Sequence, residues 1–442
     1  MYGIDFGTSN TVVTYRPGAA GGTGHGKTRL LELGEGGVLP SLLYFERDRR
    51  PSVGAEAMAD YGEALRRFRG SGDLYSRFRF FQGLKLALKD EHFEGSRVFG
   101  EKLSVEALCA IFLREVKRRA DEALRAEGIR SDDELVLGRP VTLSGKPETD
   151  LRLEERFRKA AELAGFGKVD FVFEPVAASV SSLSKAVSHN VLVFDFGGGT
   201  LDISIARTDG ESIEVLASEG EDLGGYLLNE DISRARIVRH FGAGGKFRTM
   251  TGRELEMPVW ITDQVASFYA LPLADIAKTR AAVKDLVYDA LPADKDKLRG
   301  LNEFLDRNLA FSLFDRIDGA KIALSSEREA SIGFEVPPYV RFREELSRAE
   351  FEAIVAPRVK AAEALVMRTL AKADMEAREV RRVVRVGGSC RVPAFARMLE
   401  GLFPGRVEEG EVFTSIAAGL IEASDRGLTS GITRKKSGNT SS

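Results

Sequence analysis

The chain has 442 residues, 43% hydrophobic and 30% charged, with a formal net charge of −3. That length exceeds one core and calls for two or more domains, while the near-neutral balance argues against a dedicated nucleic-acid partner, which would require a clear basic excess. Apolar runs fall short of a membrane span, Met1 leads almost directly into a strand with no room for a secretory signal, and two cysteines, Cys109 and Cys390, make no disulfide framework. A cytoplasmic protein without a membrane partner is expected.

In chain order, residues 2–16 read as two strands around the turn Thr8-Ser9-Asn10, followed by a glycine-rich connection to Lys27 and a strand-like run Arg29–Leu33. Val38–Phe45 looks extended, and the pattern then turns polar and helical to about Asp90. Ser104 is an N-cap candidate for a helix Val105–Glu127, whose Leu108, Phe112 and Val116 share a face. A strand Leu135–Leu143, a helix Leu153–Ala164 stopped by Gly165, and a strand Val169–Phe173 follow. A second hairpin, Val191–Ile205, leads to a strand Ile213–Ser218 and a turn ending at Gly225. The stretch from about Asn229 to Arg316 is mostly helical. Ser331–Phe342 is strand-like around Pro337-Pro338, Arg348–Ala373 is a long helix, Val383–Val386 is a buried strand, and Thr414–Ser424 is the last helix. Beyond Gly427 the polar tail, with Arg434-Lys435-Lys436, is expected to be disordered.

Two segments carry the chemistry. Gly3-Ile-Asp-Phe-Gly-Thr-Ser-Asn10 and Val191-Leu-Val-Phe-Asp-Phe-Gly-Gly-Gly-Thr200 are each an apolar strand ending in Asp-Phe-Gly, a small-residue turn and a second strand. An aspartate at a strand end offers a carboxylate to a hydrated cation, and the bare N–H groups of the turn can donate to phosphate oxygens. Asp5 and Asp195 are thus candidates for a magnesium shell, and Gly7, Thr8, Ser9, Asn10, Gly197, Gly198 and Gly199 for a phosphate cradle. Thr200 and Asp202, on one face of the next strand, suit an attacking water. Glu174, at a strand exit before Pro175, is either a base or cation-shell ligand, or a helix-start acid. Gly387-Gly388-Ser389-Cys390-Arg391 follows a buried strand, where glycines admit a flat ligand and Arg391 can lie along a base. Asp318, Lys321 and Ser325 share a helix face that either reaches a ribose or is solvated.

Gly21-Gly-Thr-Gly-His-Gly-Lys27-Thr28 satisfies the P-loop pattern. That mechanism needs a helix after the loop, pointing its N-terminus at the phosphates. Gly34, Gly36 and Gly37 leave no room for one, so a surface turn between strands is the better reading.

Together these segments, in order from Gly3 to Gly419, resemble the ATPase domain of the 70-kDa heat-shock chaperones (DnaK type), within the actin–hexokinase superfamily. Gly387–Pro393 is similar to that family's adenosine motif except at Cys390 and Val392. The resemblance implies an α/β, actin-like ATPase fold, a duplicated ribonuclease H-like design with two lobes, each carrying an inserted subdomain, and a nucleotide cleft between them. The first lobe would span 1–187, with an insert at about 38–103, and be completed by 412–426; the second would span 188–411, with a mostly helical insert at about 229–316, leaving 427–442 as the tail.

It further implies ATP or ADP with magnesium as cofactors, Asp5 and Asp195 holding the metal through water, and Thr200, Asp202 and Glu174 orienting the attacking water. Lys85 is the match for the catalytic lysine, with Lys89 close by. Pro40-Ser41 and Gly220–Gly225, including the site candidates Gly224 and Gly225, fall where the family has similar sequence. Two departures are Ile322, where the family has an arginine beside the adenine, and Tyr226, where it has an acid. The family continues into a peptide-binding domain, which this chain is expected to lack, so that it resembles the shorter DnaK-like proteins of the YegD type. A slow ATPase acting on an unknown protein partner or client is expected. A sugar or metabolite kinase, an actin-like nucleotide-gated filament protein and a nucleotide-binding pseudoenzyme are the rivals.

Overall fold

The opening hairpin seeds the first sheet. In a computed structural model, which describes residues 1–18, 26–68, 74–141, 146–183, 189–208, 213–267, 277–410 and 415–429, β1 (Tyr2–Phe6) pairs antiparallel with β2 (Asn10–Tyr15). β3 (Arg29–Leu30) and β4 (Val38–Pro40) both add to β2. β5 (Leu43–Glu46), β6 (Ser52–Val53) and β7 (Phe78–Phe81) form a separate small sheet beside the helix α1 (Gly54–Arg67). The short helix α2 (Leu84–Lys89) and the hairpin β8 (Gly95–Val98)–β9 (Glu101–Ser104) lead into α3 (Val105–Ala126). Parallel strands β10 (Glu134–Arg139) and β11 (Lys168–Phe173), separated by α4 (Pro147–Ala164), finish the sheet in the order β11-β10-β1-β2-β3. One face of β1 and β10, through Tyr2, Ile4 and Leu137, packs on Leu108, Phe112 and Phe157 of the two long helices.

The second sheet repeats the plan. β12 (His189–Phe196), β13 (Leu201–Thr208) and β14 (Ile213–Glu221) make an antiparallel meander. After the helix α6 (Gly225–Ile232) come two hairpins, β15 (Lys246–Arg248)–β16 (Glu254–Glu256) and β17 (Glu329–Val336)–β18 (Val340–Ser347), with helices between them. Parallel strands β19 (Val380–Val386) and β20 (Val407–Glu409) complete the order β14-β13-β12-β19-β20. Each sheet is therefore one hairpin extended by an antiparallel strand on one side and two parallel strands on the other.

The helix α5 (Glu174–Leu183) and the helix Ser415–Asp425 lie between the two sheets, burying Val136 and Val172 of the first and Val193 and Val384 of the second in one cluster. The two helices nearly touch: a Cβ at Gly419 would sit 1.8 Å from the Ala177 carbonyl oxygen. Ser104 caps α3 by accepting from the Ala107 N–H, and Gly165 ends α4 at φ 102°. A capping box at Ser347 and Glu350 starts the helix Arg348–Lys372.

Several local readings are corrected. The stretch after Phe45 is not helical to Asp90, because Phe-Arg-Phe-Phe at β7 is buried along its whole length and pairs with β5. Four residues are too few to show a period against the helical flanks. The extended run at residues 38–45 is two strands that leave for different sheets after Pro40. The strand starting near Leu135 ends at Arg139, just before Pro140, rather than at Leu143. The helical stretch between Asn229 and Arg316 also contains the β15–β16 hairpin. Residues 430–442, which include the basic triplet, lie outside the described residues.

Candidate functional site

The two Asp-Phe-Gly turns face each other across a cavity of about 740 Å³, within the range of small-molecule pockets. Asp5, Gly7, Thr8, Ser9 and Asn10 line it from the first lobe, and Asp195, Gly197, Gly198, Gly199 and Thr200 from the second. The turns approach so closely that a Cβ at Gly198 would sit 2.5 Å from Ser9 Oγ, and one at Gly199 2.5 Å from Thr8 Oγ1. The glycines are needed for that approach. Behind them, Gly224 presses on Gly199 with 2.3 Å of Cβ clearance. The first turn is held from outside: Ser41 Oγ donates to the Gly7 carbonyl at 2.8 Å, and the Ser41 N–H donates to the Ser9 carbonyl at 2.8 Å.

Four carboxylates and one ammonium converge under the turns. Lys85, on α2, is buried and ion-paired with Glu174, the first residue of α5. Asp195 and Asp202 sit opposite each other in the β12–β13 register, and both are buried. Burial pushes Asp5 up to about 7, with Glu174 adding to the rise and Lys85 opposing it. Burial likewise carries Asp202 to about 6, with Glu174 adding and Lys89 opposing. Asp195 is raised well above its ordinary range by burial and then by Glu174, Asp202 and Asp5. Burial alone would lower Lys85, but Glu174 and Asp5 outweigh it and hold the ammonium above its usual value. Asp202 Oδ1 accepts the Val141 N–H at 3.0 Å, while its Oδ2 is buried with no hydrogen-bond partner among the described residues.

This excess of buried negative charge fits a divalent cation. Among the described residues no group of three His, Cys, Asp or Glu side chains is disposed to ligate an ion directly.

The other end of the cavity is built by a strand-to-helix turn and a helix. Gly387 adopts φ 83°, and a Cβ there would lie 2.4 Å from the Phe196 carbonyl oxygen. Ser389 Oγ donates to the Gly197 carbonyl at 2.9 Å, tying this turn to the phosphate turn. Gly388, Ser389 and Arg391 line the cavity, and Arg391 pairs with Glu409 at 2.8 Å. Across from them, on the helix Ala310–Ser326, Asp318 pairs with Lys321 at 2.6 Å and accepts from Asn229 at 2.8 Å. Burial opposes ionisation of Asp318, but Lys321 and these hydrogen bonds hold its carboxyl below the usual value. Ser325 and the 61% exposed Ile322 complete the wall.

The HSP70 protein family model matches residues 84–248 and 285–412. The chain belongs to the HSP70 family. Its fold is accordingly the actin-like ATPase fold, and the two matching sheets are its two halves. Similar proteins include a chaperone protein HscA homolog of Azotobacter vinelandii, 29% identical over 420 residues that cover 91% of this chain and 53% of the relative. Chaperone protein DnaK of Deinococcus deserti is 25% identical over 458 residues, covering 97% of this chain and 59% of its own. That of Deinococcus radiodurans is 26% identical over 450 residues, with the same coverage. The chain thus spans about half the length of the curated relatives it matches. HSP70 members are ATPases, and this chain carries a chaperone-like nucleotide-binding domain.

Most residues singled out from the sequence meet at this one cavity. Asp202, Gly224 and Gly225 do not line it and support it from behind. Lys85 reaches the cavity, whereas Lys89 points to Asp222 and does not. Lys27 is exposed and is followed by the two-residue strand β3 and no helix, while Gly21–His25 of the P-loop pattern lie outside the described residues. The sequence reading missed Arg385 and Glu409, which line the cavity opposite each other in the β19–β20 register; Ser41, noted only as part of a matching segment, braces the first turn. Nothing local marked Arg385 or Glu409.

Proposed function

We propose that the protein binds ATP with magnesium between its lobes and hydrolyses it slowly to ADP and phosphate. The observation that carries this reading is the cluster of Asp5, Glu174, Asp195 and Asp202 around Lys85, directly beneath two facing glycine turns. In this reading the N–H groups of Thr8–Asn10 and Gly197–Thr200 cradle the phosphates. Asp5 and Asp195 would hold magnesium through water, and the ion supplies the positive charge that the carboxylates lack. Lys85 stabilises charge on the transferred group, and Glu174, Thr200 and Asp202 orient the water whose oxygen bonds to the terminal phosphorus as its bond to the bridging oxygen breaks. Gly387–Arg391 and the face of Asp318, Lys321 and Ser325 take the nucleoside.

Nucleotide state then biases lobe closure, and a protein partner or client reads it, supported by the chaperone relatives. Residence in the cytoplasm is supported by the two free, buried cysteines; among the described residues no helix is long and apolar enough to cross a membrane. The proposed division follows the two sheets, 1–187 with 412–426 against 188–411. The test is phosphate release from ATP with magnesium and no other substrate. Slow turnover that is lost in Asp195→Asn supports the reading; recovery of the labelled phosphate on an added sugar, with no release to water, would sink it.

A further inference from the structure

Lys85 stands on a short helix held by its neighbours rather than by its own length. Its helix, α2, has six residues, starts from Gly83 at φ 65°, and has no side-chain N-cap. A helix this short does not hold itself in water. Leu84, Ala87 and Leu88 anchor one side in the first-lobe core. The opposite face carries Lys85 and, one turn on, Lys89.

Lys89 is built as an anchor. Its side chain is 5% exposed, and its ammonium pairs with Asp222, whose side chain is 71% exposed. Asp222 belongs to the other lobe, in the link between β14 and α6. Just beyond the link, Tyr226 in the first turn of α6 touches the first lobe again, its hydroxyl donating to the Thr8 carbonyl oxygen at 3.4 Å. An ion pair with one exposed partner contributes little to stability, so its consequence is positional.

We propose that Lys89 and Asp222 form a positioning pair that seats α2, and through it the Lys85 ammonium, only when the second lobe is in place. This rests on the reading of Lys85 as the charge-stabilising lysine. Lys89 is then not a spare catalytic lysine but the clamp that makes Lys85 competent on lobe closure. A small displacement of a preorganised charge is costly to the rate and nearly neutral to binding.

The test is Asp222→Asn in the full chain, which keeps shape at an exposed position, with Lys89→Arg as the conservative variant. Asp222→Asn is expected to lower kcat about tenfold with nucleotide Kd within about twofold, and to speed amide exchange across residues 84–89. Lys89→Arg is expected to keep both near wild type. An unchanged kcat in Asp222→Asn overturns the proposal, as does a loss of affinity that parallels the loss of rate. If the wild-type protein binds nucleotide but does not turn it over, the ATPase reading fails on its own. Exchange across α2 then decides the clamp: faster in Asp222→Asn supports it, unchanged removes it.

Discussion

The two halves share a strand order but not a division of labour. The first turn, Gly7–Asn10, keeps polar side chains and is braced by a side chain, Ser41. The second, Gly197–Gly199, has no side chains of its own; the backbone of Gly224 and Gly387 presses against it, and Ser389 Oγ donates to the Gly197 carbonyl. Asp5 faces Val12 across its hairpin, whereas Asp195 faces a second acid, Asp202. Lys85 and Glu174 both come from the first half. The two halves thus share a strand geometry, while Lys85 and Glu174 are contributed by the first and Asp202 by the second.

The largest expected effect tests that asymmetry. Lys85→Ala and Asp195→Asn should each lower kcat about 10²–10³-fold, the scale for removing one preorganised electrostatic group, measured by phosphate release. The same acids set the pH response of the nucleotide-free protein. Asp5 at about 7 and Asp202 at about 6 both lie above the ordinary 3.8. Their folded-state values are raised, so their contribution to stability is fully present below pH 4 and is lost as pH climbs through 6 and 7. Thermal unfolding should therefore show Tm falling over that window, and magnesium with ATP should stabilise more at pH 8 than at pH 5.5. A Tm that rises with pH across the window would contradict the cluster's charge balance.

The two braces differ in how they should break. Gly387→Ala places a Cβ at φ 83° against the Phe196 carbonyl oxygen, at an expected cost of about 3 kcal/mol in urea unfolding. Ser41→Ala removes one buried hydroxyl, and the Ser41 N–H bond to Ser9 survives. It should cost about 1 kcal/mol and weaken nucleotide binding several-fold without loss of the fold. Equal effects from the two would mean that both turns depend alike on their braces.

The same contrast explains what could be read in advance. Each hairpin carries its signal locally, as alternating apolar residues around Asp-Phe-Gly, so both were visible, as were Ser104 and Gly165 at helix ends. The site residues on those hairpins followed from them. Glu409 and Arg385 meet through the pairing of β19 with β20, and Lys89 meets Asp222 across 133 residues. No local period encodes such partners. β7 failed for another reason: four buried residues between helical segments contain no alternation to detect.

The smallest expected effect lies at the nucleoside end. Ile322 is 61% exposed on the cavity wall facing the Gly387–Arg391 turn, and it stands where the resemblance places an arginine. An exposed position accepts a longer side chain without repacking, so Ile322→Arg should fold as the wild type does. A guanidinium laid on an aromatic base at a partly solvated site contributes about 0.5–1 kcal/mol. ADP affinity measured by calorimetry should therefore rise by roughly two- to fivefold, with kcat unchanged because the residue is remote from the carboxylates. A gain shared equally by ribose 5′-diphosphate, which has no base, would show that the new charge acts on the phosphates instead.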